Sequence, residues 1–144
     1  GNEYMKKLIS SLLVCLMVFS CCGSALAAGI EPYASITLRT AQAAASTGVN
    51  SGEIKISYQA RTNKAGSPVG VSSIAIYKSD GTYVTTIKGS TSNGLMANGT
   101  LSKSGSYTYR GSSGTSYYAK VTIAATAGSE YDSRTITTNV ARAK

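Results

Sequence analysis

Histidine and tryptophan are absent from this chain, and its three cysteines and single phenylalanine all fall within the first 22 residues. Cys15, Phe19, Cys21 and Cys22 are those four. Beyond them the chain has no imidazole and no thiol. It therefore lacks the side chains that most often act as nucleophile, proton shuttle or zinc and copper ligand. A disulfide framework is excluded for the same reason. Tyrosine is the sole aromatic residue after Phe19.

Carboxylates are also scarce. Past residue 27 they are Glu31, Glu53, Asp80, Glu130 and Asp132. Hydrolysis by paired carboxylates needs two of them at a set separation. Asp80 is accounted for by a turn, and Glu53 by the wet face of a strand. Glu130 and Asp132 share a loop that offers calcium only two carboxylates, where the ion takes six or more oxygens. An exposed ion pair between Asp132 and Arg134 on one strand face explains them better. A serine–lysine dyad needs a lysine desolvated enough to lose its proton, and Lys55, Lys88 and Lys120 all read as solvent-facing. Gly111-Ser-Ser-Gly-Thr115 lacks the lysine of a phosphate-binding loop. The expectation is a protein that is not an enzyme and uses no cofactor and no metal.

What is present begins with a leader. Met5-Lys6-Lys7 is positive, Leu8 to Phe19 is apolar, and Ser20 to Ala27 is small and polar, ending in Ala25-Leu26-Ala27. That is the order of a secretory signal with an A-x-A cleavage site. The apolar run is shorter than the ~20 residues a bilayer-spanning helix needs. Cleavage before Ala28 makes residues 5–27 the signal and residues 28–144 one domain. No transmembrane segment is expected after cleavage. The alternative is lipid anchoring at Cys21, where Val18-Phe19-Ser20-Cys21 roughly resembles a lipobox with a bulky Phe19. Residues 1–4 precede the first methionine of the signal and read as upstream translation or a cloning scar.

Lys6, Lys7 and Glu3 precede residue 28. Without them the 14 basic and 6 acidic residues leave a net charge of about +7. The cations are spread singly from Arg39 to Lys144 and form no stripe, so nucleic acid is not an expected partner. The charge reads first as solubility and retention near an anionic wall.

The same segment has nine isoleucines and six valines but three leucines, Leu38, Leu95 and Leu101. With abundant threonine, serine and tyrosine, this is strand chemistry. Seven strands are read at 33–40, 53–60, 71–78, 82–88, 106–110, 116–125 and 132–140. Ile54, Ile56, Tyr58 and Ala60 alternate with Glu53, Lys55, Ser57 and Gln59, as in a strand with one wet side. Tyr117, Ala119, Val121 and Ile123 share a face, with Tyr118, Lys120 and Thr122 on the other. Asp80-Gly81 predicts a hairpin. Ile56, Ile74, Val121, Ile123 and Ile136 are the predicted core, with Thr138 and Val140 also inward. Residues 89–105 read as irregular, with Leu95, Met96 and Leu101 capping the core. Ala41 to Ala45 could form one helical turn. Short strands with regular turn signals predict an all-β sandwich, immunoglobulin-like or fibronectin-III-like. Tyr117, two residues before inward Ala119, stands where such sandwiches place a tyrosine corner.

Several segments add a resemblance: Glu31-Pro-Tyr-Ala-Ser35, Ile74-Ala-Ile-Tyr77, Gly94-Leu-Met96, Tyr117-Tyr-Ala-Lys-Val121 and Tyr131-Asp-Ser-Arg-Thr135. In that order they resemble a group of small secreted proteins of clostridia-like Gram-positive bacteria. The resemblance implies secretion and a β-rich fold, and carries no catalytic residue across.

Tyr77, Tyr83, Tyr107, Tyr109, Tyr118 and Tyr131 are too many to be core. Tyrosine with serine and glycine makes binding loops, and residues 105–118 have that composition; cross-strand pairing on a wet face is the structural alternative. The ligand-binding candidates are Lys103, Tyr109, Arg110 and Tyr118, with Lys120 beside them. The expected function is non-enzymatic binding at or outside the cell surface, to a wall polyanion, a glycan or another extracellular protein. The alternatives are a self-assembling extracellular subunit that joins through sheet edges, and a secreted cationic effector.

Overall fold

The computed structural model describes residues 36–144, so the leader, the A-x-A site, Cys21 and residues 33–35 of the first predicted strand lie outside the described residues. Nine strands follow in order: β1 Leu38–Thr47, β2 Glu53–Gly66, β3 Val69–Lys78, β4 Tyr83–Lys88, β5 Met96–Ala97, β6 Thr100–Arg110, β7 Ser116–Ala127, β8 Glu130–Thr137 and β9 Ala141–Arg142. All pairings are antiparallel. One sheet has the order β1-β2-β6, the other β4-β3-β7-β8, with β5 added to β3 and β9 to β7. The predicted all-β sandwich is what forms.

Alternation explains which face each strand buries. Ile54, Ile56, Tyr58 and Ala60 of β2 are buried, as are Ile74 and Ile76 of β3 and Tyr117, Ala119, Val121, Ile123 and Ala125 of β7. These inner faces make one hydrophobic core. Strand β7 supplies most of its side of that core because β3 and β8 flank it on both edges.

The Asp80-Gly81 hairpin is as expected. Gly81 takes φ 93°, a region where a Cβ would clash. Its amide donates to the Lys78 carbonyl at 2.9 Å. Asp80 Oδ1 accepts from the Thr82 amide at 2.9 Å; the Thr82 side chain first, and then this amide, hold the Asp80 carboxyl below the usual range.

Several expectations are corrected. Ala41 to Ala45 lie in β1 and form no helical turn. Register places Ala45, Ala43 and Ala41 opposite the inward Ile56, Tyr58 and Ala60, so the small side chains serve the core face of an edge strand. Residues 96–97 and 100–105 are strands, not irregular chain. Leu95 is buried, but Leu101 is 54% exposed. Ile136 sits at the core margin, partly buried. Val140 is 53% exposed, because Thr138 ends the strand: its amide donates to the Ala119 carbonyl, and its hydroxyl accepts from the Ala119 amide at 2.9 Å.

Two acids also do something other than expected. Glu53 is buried, not on a wet face. Asp132 and Arg134 do not pair with each other. Asp132 Oδ2 accepts from the Leu38 amide at 2.8 Å, and the Arg134 guanidinium donates to the Leu38 carbonyl. Asn139 treats Ala45 the same way: its Oδ1 accepts from the Ala45 amide at 2.9 Å and its Nδ2 donates to the Ala45 carbonyl at 2.8 Å. Side chains from the end of the four-stranded sheet thus bridge to β1 at two points along its outer edge.

Tyr117 makes the expected corner. Its ring is buried and its hydroxyl accepts from the Ser112 amide at 2.9 Å. The bond ties the 111–115 loop to the start of β7. Tyr117→Phe removes the acceptor and leaves that amide without it, which should cost about 1 kcal/mol. Denaturant midpoints of the two proteins measure this directly. Identical midpoints would mean that water replaces the hydroxyl without loss.

Candidate functional site

The outer face of the four-stranded sheet is the strongest candidate. Its side chains follow from register. Tyr77 of β3 stands between Tyr83 of β4 and Tyr118 of β7. One step along, Ala75 lies between Thr86 and Lys120, and Lys120 faces Thr137 of β8. One step further, Ser73 lies between Lys88 and Thr122, which faces Thr135. Three rows thus cross the sheet, with tyrosines at one end and hydroxyls and lysines behind them.

The tyrosines touch. The rings of Tyr77 and Tyr118 stack with centroids 5.3 Å apart and planes at 10°, while Tyr83 meets Tyr77 edge-on at 5.7 Å and 71°. Both arrangements suit the quadrupole of an aromatic ring. Lys120 Nζ lies 5.1 Å from the Tyr77 centroid, within cation–π range. The contact orients the ammonium while leaving it in water. Tyr83 is 58% exposed, and its hydroxyl shares a 2.8 Å hydrogen bond with Thr86 Oγ1. Thr122 and Thr135 share another at 3.1 Å. These three rows carry two lysines and no carboxylate.

The four ligand candidates chosen from sequence do not converge. Tyr118 belongs to this face. Lys103, Tyr109 and Arg110 lie on β6 in the other sheet. Tyr109 is half-buried, with its ring edge-on to Tyr117 at 5.5 Å and 74°. Burial pushes its phenol up, and Tyr117 and Tyr107 add to this. The stem of Lys103 passes close to Gly70. Arg110 approaches Glu53, with Nη2 3.3 Å from Oε1. The Asn50 amide also donates to Glu53 at 2.7 Å. Asn50 first, and then Arg110, hold the Glu53 carboxyl below its ordinary range against the opposing effect of burial. Arg110 therefore secures the start of β2.

Tyr77, Tyr83 and Lys88 were not singled out as a group from sequence. The Asp-Gly hairpin carried a signal for two of them, since it sets Tyr77 and Tyr83 near one another across the turn. The neighbour relation of β3 and β7 carried none, because β4, β5 and β6 lie between those strands in the chain. Lys64 and Glu130 form an ion pair at 3.3 Å. With Asp132 held by Leu38, the two carboxylates weighed for calcium are engaged separately.

A second feature is a concavity of about 760 Å³ on the three-stranded sheet, lined by β1, β2 and β6 and by Ile136 of β8. Its walls include Ala41, Gln42, Ala43, Ala44, Gln59 and Ile136, and none of its lining residues is charged. No protein-family model, curated protein or solved structure matches the chain.

Proposed function

We propose that this is a secreted, non-enzymatic β-sandwich module that holds an anionic, hydroxyl-rich wall polymer on the outer face of its four-stranded sheet. One observation carries the reading: Lys120 poised over Tyr77, beside stacked Tyr118, on a face of threonine hydroxyls with Lys88 and no carboxylate. Ammonium groups attract phosphate or carboxylate. Threonine hydroxyls donate and accept hydrogen bonds with polymer hydroxyls. Tyrosine gives rigid contact area at low entropic cost. Secretion rests on the leader read in residues 5–27, and the clostridial resemblance accords with a wall as the setting.

The fold reading within this proposal is fibronectin-III-like. Immunoglobulin constant domains divide their strands four and three. Here β4 pairs with β3, so the split is three and four. The Tyr117 hydroxyl bond supports the same family of sandwiches.

Retention on purified cell wall tests the proposal. Binding should weaken as salt rises, because exposed charges are screened. Changing both Lys88 and Lys120 to serine should weaken it by about tenfold, two exposed charge contacts at up to ~1 kcal/mol each. The melting temperature should not move, since both residues are exposed. Arg110 is a poor probe here, because its loss disturbs Glu53. Retention that ignores salt and survives the double substitution would remove the polyanion and leave a neutral glycan or a protein as ligand.

A further inference from the structure

The outer edge of β1 offers a second interaction surface, independent of the tyrosine face. Asn139 bonds both backbone groups of Ala45, so these point away from β2. Pairing of β1 with β2 runs without a register shift from Thr40 to Thr47. Backbone direction alternates along an antiparallel strand, so the groups of Ala43 and Ala41 also point outward. Leu38, beyond the bulge, is outward again and is held by Asp132 and Arg134. Among the described residues, side chains occupy this edge at Leu38 and Ala45 and leave it open at Ala41 and Ala43.

Charge is distributed unevenly over the sheet edges. Strand β4 ends in Lys88, β6 carries Lys103 and Arg110, and β8 carries Asp132 and Arg134. Such charges discourage pairing with another chain. Strand β1 has none after Arg39, and the next charged residue is Glu53. The uncharged concavity lies along the same stretch, lined by Ala41 to Ala44. A basic protein thus leaves one strand edge unprotected, between two side-chain clamps.

We propose that this edge pairs with the β1 edge of a second copy, antiparallel across a twofold axis at Gln42. Ala41 then faces Ala43 of the second copy, and Ala43 faces its Ala41. Each such pair exchanges both N–H···O bonds, since both residues point outward. Gln42 meets the Gln42 of the second copy on the outer face. The edge suits a second copy because the segment it accepts must be short, uncharged and small in side chain, and the stretch of β1 between its clamps, from Thr40 to Ala44, is itself such a segment. The clamps at Leu38 and Ala45 confine pairing to the residues between them. The contact is therefore small against the ~1,200–2,000 Å² of stable complexes, and association is weak and concentration-dependent. Each copy without its leader keeps a net charge of about +7. Repulsion opposes the dimer, so salt strengthens it. Wall-polymer binding responds to salt in the opposite direction.

Sedimentation velocity over a concentration series, at low and high salt, tests the proposal. Dimer should appear at high concentration and grow with salt. Ala43→Pro removes an outward amide, a substitution edge strands tolerate, and should raise the dimer dissociation constant about tenfold or more through the lost bonds. Gln42→Lys and Gln42→Glu should each weaken association by placing like charges opposite one another, and mixing the two variants should restore it. If Ala43→Pro disturbs folding, the Gln42 pair decides alone. A monomer at every concentration, or a dimer that ignores these changes, overturns the proposal. So does failure of the mixture to recover.

Discussion

Replacing Ile123 with alanine should lower stability by about 2–5 kcal/mol. Ile123 is fully buried in β7, paired with Val71 on one side and Arg134 on the other. It sits on the inner face between Val121 and Ala125, both also fully buried. Hydrogen-bonded strands on both sides hold the backbone in place. The walls of the new cavity can collapse little, and limited collapse puts the cost toward the upper part of the range. Urea unfolding should show a lower midpoint with an unchanged slope, the signature of lost native stability. A loss under ~0.5 kcal/mol is what surface changes give, and would mean that Ile123 does not face the core.

The β7 register could be read in advance because apolar and polar residues alternate there from Ala119 to Ile123. The same is true of β2. Where alternation failed, so did the reading. Strand β6 places Lys103, Gly105 and Tyr107 opposite the inward Ala60, Tyr58 and Ile56, so its first half shows no apolar pattern. Strand β1 hides for a different reason. Alanine is the best helix former, and only pairing with β2 selects the extended form. Glu53 looked solvent-facing by parity, yet it lies at the strand start, where Asn50 and Arg110 enclose it. Parity says which face a side chain takes, not what lies above that face.

The candidate site shows the same boundary. Surplus tyrosines and the outward position of Tyr118 and Lys120 were plain in the sequence. Their grouping with Tyr77 and Tyr83 needed the order β4-β3-β7, which is set by long-range pairing. The edge of β1 was less legible still. Its clamps come from Asp132, Arg134 and Asn139, more than ninety positions away in the chain. No local pattern marks a side chain that will bond a distant backbone.

Gly89→Ala should destabilise the protein by about 2–3 kcal/mol or more, as forced overpacking does. Gly89 follows β4 where the chain leaves the sheet, and its amide donates to the Ser72 carbonyl at 2.8 Å. The register of β3 against β7 shifts at that point, between Val71 and Ser73. Backbone therefore crowds backbone. A Cβ on Gly89 would lie 1.6 Å from the Val71 carbonyl oxygen and 2.7 Å from its carbon. Neither atom belongs to a flexible side chain, so relief requires moving β3, which sits between β4 and β7, or breaking the Gly89–Ser72 bond. Gly94→Ala is the matched control. Gly94 has φ 79° but open space where its Cβ would go, so it carries only the left-handed backbone penalty, about 1 kcal/mol. Denaturant midpoints should rank Gly89→Ala well below Gly94→Ala. Equal midpoints would show that the β4–β5 connection yields freely, and that the close approach to β3 contributes little to holding the sheet.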